Sequence, residues 1–258
     1  MDLSLSEKTV VITGGAKGIG AGCASVFHRE GANVAVLDVD REAGRELTEN
    51  LGERSIYIAC DIANGSEVER AMERTVDEFG SLDILVNNAG ILHYATVTEM
   101  SEEEWDRVMG VNVKGAFLCS KFAIPYMQQQ NRGVIVNISS VQAFVSQKRV
   151  AAYVTSKSAL VGLTRSIAVD YAPQIRCVAI CPGGVDTPLN RAAFALSADP
   201  EQVRQETIDL HLIERMASQE EIGEFVAFVS SEKGALFTGQ PVRIDGGLGV
   251  NVAGSKRD

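Results

Sequence analysis

The chain has 258 residues, 45% of them hydrophobic, and a formal net charge of −10. That length suits one α/β domain that buries roughly 70–75% of its unfolded-chain surface, and the acidity argues against nucleic acid or an anionic membrane as the main partner. No apolar run reaches the ~18 residues of a membrane span and MDLSLSEKTV lacks a signal peptide's apolar core. Cys23, Cys60, Cys119, Cys177 and Cys181 form no C-x-x-C pair, so the expectation is a cytoplasmic protein with buried thiols and no metal site.

Strand-like apolar runs recur at 8–12, 33–38, 55–60, 82–86, 133–139, 175–181 and 240–245. Helical stretches lie between most of them, near 18–30, 41–51, 65–79, 101–130, 150–171 and 218–230. The alternation predicts an α/β fold: one Rossmann-type doubly wound domain over 1–258, with a seven-stranded parallel sheet flanked by helices on both faces. Ligands of such folds lie outside the carboxyl ends of the strands, where strand order reverses. Pro125 is expected to kink the helix at 101–130 or mark its last turns.

The first unit is strand, glycine turn and amphipathic helix, KTVVITGGAKGIGAGCASVF. Gly14, Gly18 and Gly20 are spaced G-x-x-x-G-x-G; glycines let the backbone approach a pyrophosphate, which then rests on the positive end of the following helix. The second strand, NVAVLD, ends in Asp38, eighteen residues beyond Gly20. An acid there hydrogen-bonds the adenosine ribose hydroxyls and repels a 2′-phosphate. The third and fourth strands end in Asp61 and in NNAG, Asn87 to Gly90. In the next helical stretch Asn112 stands among apolar residues, where its amide must find partners or bear a desolvation cost.

Ser140 follows the strand GVIVNIS, and Tyr153 and Lys157 stand four residues apart on one face of a helix. A free tyrosine has a pKa near ~10, and lowering it by ~3 units takes about 4 kcal/mol, much of which a nearby ammonium can supply. With Ser140 holding a substrate oxygen, the three suit proton transfer at an alcohol or carbonyl.

In this order the motifs, together with PGGVDT from Pro182 to Thr187, resemble the short-chain dehydrogenase/reductase family from about residue 5 to about residue 249. The resemblance implies an NAD(P)-dependent oxidoreductase acting on CH–OH groups. It makes Asn112, Ser140, Tyr153 and Lys157 the catalytic set, Asn112 holding a water in a proton relay from the lysine. It places Lys17, Ile19, Asn88, Ala89, Gly90, Pro182, Gly183, Val185 and Thr187 around the dinucleotide with the three glycines, Tyr153 and Lys157, and puts Asp61 and Ile62 at the adenine. Thr187 would meet the carboxamide and Lys157 the nicotinamide ribose. Asp61 as a helix N-cap and Asn87 as a tie between strands are the alternatives. Lys17 occupies a place where NADPH-using relatives carry a base, but Asp38 opposes a 2′-phosphate; NAD is expected, with NADP the alternative.

Substrate is expected between 90–95, 141–149 and a lid at 188–217, with His93 and Gln147 joining Ser140 and Tyr153 as its contacts. Arg149 and Lys148 are read as solvated, and His28 and His211 as structural or solvated. GIGAG, SQKRVAAYVTSK and PGGVDTPLNRAAF resemble the sugar (aldose, L-fucose-type) dehydrogenases. A sugar or polyol is therefore expected; a steroid or other hydroxy compound, a 3-oxoacyl thioester and a non-catalytic NAD-sensing role are the alternatives. Extra apolar residues on two helices, Val113, Ala116, Phe117 and Phe122, then Val154, Leu160, Val161 and Leu163, suggest burial beyond one stripe. With the resemblance, this predicts a homotetramer. The tail at 250–258 is expected to fray or to cross toward a neighbouring lid.

Overall fold

β1, Thr9–Thr13, is β-branched throughout and fully buried, as a strand covered on both faces should be. In the computed structural model, residues 2–251 are described. β2 (Asn33–Asp38), β3 (Ser55–Ala59), β4 (Ile84–Asn87), β5 (Gly133–Ile138), β6 (Ile175–Pro182) and β7 (Pro241–Ile244) complete one sheet in the order β3-β2-β1-β4-β5-β6-β7. Every neighbouring pair is parallel. Because side chains alternate along a strand, Val10, Ile12, Val34 and Val36 pack with Phe27 and Val226 on one face. Val11, Leu37, Leu85 and Ile135 pack with Met72 and Met127 on the other. Order reverses between β1 and β4, so the cleft opens at their carboxyl ends.

The helices are α1 (Gly18–Arg29), α2 (Arg41–Leu51), α3 (Gly65–Phe79), α4 (Glu102–Met109), α5 (Ala116–Gln129), α6 (Ala151–Tyr171), α7 (Pro188–Phe194), α8 (Pro200–Asp209) and α9 (Gln219–Ser230). Two features depart from the sequence expectation. The stretch at 101–130 is not one α-helix: a π-helical segment, Gly110–Gly115, joins α4 to α5. There the Asn112 amide bonds the main chain of Ile91 in both directions, and a widened turn accommodates it. Pro125 falls within the last turns of α5. The segment 188–217 also holds two helices of its own, each with proline at its first turn, capped by Thr187 and Asp199.

The supposed extra apolar stripe divides. Ala116, Leu160 and Val161 turn into the chain's own core, since α5 and α6 cover the sheet with more than one row. Phe117 and, further along α6, Val169 stay exposed. All five cysteines are buried and free. No described helix is long and apolar enough to cross a membrane. The tail's predicted course at 252–258 lies outside the described residues; Asn251 before it donates to the carbonyl of Leu210 at 3.2 Å.

Candidate active site

The carboxyl ends of β1, β2, β4, β5 and β6 open into one cavity of about 720 Å³. Its floor at β1 is the glycine turn, in which Gly14 and Gly18 take left-handed backbone angles (φ +59° and +60°) that only glycine adopts without strain. A Cβ at Gly20 would meet the Gly14 carbonyl at 2.2 Å. Asn88 locks the turn by donating its amide to the carbonyls of Thr13 (3.0 Å) and Gly14 (2.9 Å). α1 then starts with no side-chain cap and no acid in its first turn, so its positive end is free for an anion.

At β2, the two Asp38 oxygens accept from the main-chain N–H of Ala16 (3.0 Å) and of Asp40 (2.9 Å). Lys17 lies on the same rim, its ammonium 2.6 Å from Asp40. Asp40 escaped the sequence reading because it stands in a cap position, where acids are ordinary; its other oxygen caps α2 on Ala43 N–H. At β3, Asn64 rather than Asp61 caps α3, which leaves the Asp61 carboxylate on the cavity wall with Ile62. Asn87 points away from the cleft and ties β4 to Asn137 and Ser120.

The third wall carries the proton-handling group. Ser140, just beyond β5, lines the cavity together with Tyr153 and accepts from Gln142 N–H at 3.1 Å. Burial pushes the Tyr153 phenol up to about 12; the neighbouring Ser140 hydroxyl opposes that rise and Tyr94 adds to it. Burial likewise lowers Lys157 to about 8. The Lys157 ammonium donates to the Ile138 carbonyl at 2.9 Å, and the Ser139 hydroxyl holds the lysine's own carbonyl at 2.7 Å. Burial thus works on Tyr153 in the sense opposite to the lowering that a nearby ammonium would give. Asn112 lies behind Gly90, which separates it from the cavity. A Cβ at Gly90 would sit 3.4 Å from Asn112 Oδ1 and 3.3 Å from Lys157 Nζ. The Asn112 amide also donates to Ser156 Oγ at 2.9 Å.

On the substrate side the expectation is only partly met. Gln147 lines the cavity. His93 does not: its ring turns outward to Glu104, Nε2 to carboxylate 3.0 Å, because a loop residue with an acid in reach pairs with it. Its neighbour Tyr94 faces inward instead, its hydroxyl 3.5 Å from the Gln147 amide. Arg149 pairs with Glu99 rather than standing solvated alone. Gln142, passed over in the sequence, lines the cavity with a buried Oε1 that has no partner among the described residues. Pro182, Gly183, Val185 and Thr187 line the β6 side, and Asn190 of α7 joins them. His211 is buried: Nδ1 donates to Thr207 O and Nε2 accepts from Gly184 N–H, both at 2.8 Å. It ties the end of α8 to the turn after β6.

A dinucleotide fits these residues. The glycine cradle tolerates no Cβ at Gly20, an uncapped helix end opens into the cavity, and a fixed carboxylate stands at the end of β2.

Comparison with known proteins agrees. A family profile described as enoyl-(acyl carrier protein) reductase matches residues 14–249. An uncharacterized oxidoreductase of Thermotoga maritima is 40% identical over 249 residues, 95% of this chain and 98% of that protein. The ligand-free aldohexose dehydrogenase of Thermoplasma acidophilum superposes with a TM-score of 0.93 at 39% identity, over all of both chains. The 3-ketoacyl-(acyl-carrier-protein) reductase of Brucella melitensis, solved with NADH, gives 0.87 at 31% identity over 95% of this chain and 99% of that one. The chain belongs to the short-chain dehydrogenase/reductase family and is an NAD(P)-dependent oxidoreductase acting on CH–OH groups.

Proposed function

We propose that the protein oxidises a secondary alcohol of a sugar or polyol, using NAD. The observation that carries the substrate class is the Gln142 side chain near Ser140, whose buried Oε1 lacks a partner among the described residues. Leaving a buried acceptor unmade costs about 1–3 kcal/mol, and a hydroxyl next to the reacting carbon removes that cost. Tyr94, Gln147 and Asn190 extend the polar lining, and the likeness to an aldohexose dehydrogenase supports the same reading. Asp38 supports NAD, because its carboxylate stands where a 2′-phosphate would bring like charge.

Nicotinamide, when bound, supplies the site that accepts the hydride. The rest falls to this chain's residues. Ser140 Oγ holds the substrate oxygen against Tyr153, whose phenol oxygen, in its ionised form, takes the hydroxyl proton. Lys157 places its ammonium beside that ring and supports the negative oxygen, while the Asn112 segment props Ile91 and Gly90 against it. In reduction the same phenol returns the proton. Segment 188–217 acts as the lid, and His211 fixes it to the turn carrying Val185 and Thr187.

Assay of the purified protein with NAD and NADP against sugars, polyols, hydroxy acids, steroids and 3-oxoacyl thioesters tests this. The highest kcat/KM is expected for an aldose or polyol with NAD. A preference for a 3-oxoacyl thioester, the activity named for the Brucella neighbour, would replace the substrate reading.

A further inference from the structure

We infer that Asp40 is a cofactor-specificity residue, which keeps Lys17 from serving a 2′-phosphate. The inference rests on the reading of this cavity as a dinucleotide site with Asp38 at the adenosine ribose.

Lys17 and Lys157 are the cations among the described residues lining the cavity, and Lys157 sits at the opposite, Tyr153 end. Any charge-assisted bond to a phosphate at the ribose rim therefore falls first to Lys17. That ammonium is already 2.6 Å from Asp40 Oδ2, and the pairing raises the lysine and lowers the aspartate from their ordinary values. Asp40 is not a loose partner. Its Oδ1 accepts from Ala43 N–H (3.1 Å) as the cap of α2, and its own N–H donates to Asp38 Oδ1 (2.9 Å). The cap fixes the carboxylate, the carboxylate fixes the lysine, and the same backbone link fixes Asp38.

The exposed pair adds little to stability; its effect lies in where the charge is held. Asp38, Asp40 and Lys17 together carry a formal charge of −1, unfavourable to an added dianion. Without the Asp40 charge the cluster is neutral and the ammonium is released toward the rim. Asp38 alone is then an incomplete account of NAD selection, because a lysine free to turn inward would offset it.

Asp40→Asn is the fitting variant, since asparagine caps a helix as well as aspartate does. Dissociation constants for NADPH and NADH are measured by nicotinamide fluorescence on wild type, Asp40→Asn, Lys17→Met and the double variant, with circular dichroism as the check on folding. Asp40→Asn should tighten NADPH by about fivefold or more and leave NADH within about twofold, and the gain should vanish in the Lys17→Met background. An unchanged NADPH constant, or an equal gain without Lys17, overturns the inference. A wild type that binds NADPH more tightly than NADH refutes the NAD reading instead; an NADH-preferring wild type with an inert Asp40→Asn refutes only the role of Asp40.

Discussion

The Lys157 ammonium lies 5.5 Å from the centre of the Tyr153 ring and is anchored on the Ile138 carbonyl. This spacing puts a positive charge beside the phenol while the lysine's strongest contact is with the main chain. Burial moves the two groups in opposite senses, Tyr153 up to about 12 and Lys157 down to about 8.

The pH dependence of activity follows. Oxidation needs an ionised Tyr153, so kcat/KM should rise with pH; above about 8 Lys157 loses the charge that supports the phenolate, and the rate should fall. The limbs belong to the coupled pair rather than to either residue. Reduction needs the phenol protonated and should lack the acid limb. A level profile for oxidation between about pH 6 and 10 would contradict this. For stability, a lysine lowered on folding binds its proton more tightly in the unfolded chain. Stability is therefore lost as pH falls from 10.5 to about 8. Lys157→Met should raise Tm at neutral pH while reducing turnover and NADH affinity.

Asp38→Ser should narrow the ratio of kcat/KM for NAD over NADP by about tenfold or more, since it removes the carboxylate bonded to Ala16 N–H. Steady-state kinetics with both cofactors check this. A wild type that prefers NADP would refute the repulsion argument.

Replacing His211 strips two hydrogen bonds from a buried ring and leaves Gly184 N–H without its acceptor. His211→Ala should destabilise the protein by about 2–4 kcal/mol and raise substrate KM more than it lowers kcat, as segment 188–217 loosens. Denaturant unfolding and kinetics at low temperature separate the two effects. An unchanged KM would confine His211 to a structural role.

Exposed Phe117 on α5 and Val169 on α6 fit burial against further copies of the chain, and a tetramer is the assembly we propose. Light scattering at micromolar concentration should return four times the chain mass. A fully active monomer would refute it.

Much of this was legible in the sequence. The sheet was readable from periodicity, whereas the glycine turn, Asp38 and the Ser140, Tyr153 and Lys157 set were readable only through their combined order along the chain, and the structure brings all of them to one cavity. What escaped depends on partners distant in sequence. Nothing local says that His93 meets Glu104 while Tyr94 turns inward. The π-helical turn at Asn112 exists because of Ile91, twenty-one residues earlier. Asp40 reads as a cap until Lys17 is seen beside it, and His211 acquires meaning only against Gly184.

The central claim is that the Tyr153 oxygen carries the proton. Tyr153→Phe removes that oxygen and keeps the ring, so turnover of the best substrate and NADH affinity are measured together on this variant. The expected result is kcat reduced by about a thousandfold or more, with the NADH dissociation constant within about threefold of wild type. Retention of more than about a tenth of wild-type kcat, in a variant that binds NADH normally, would contradict it.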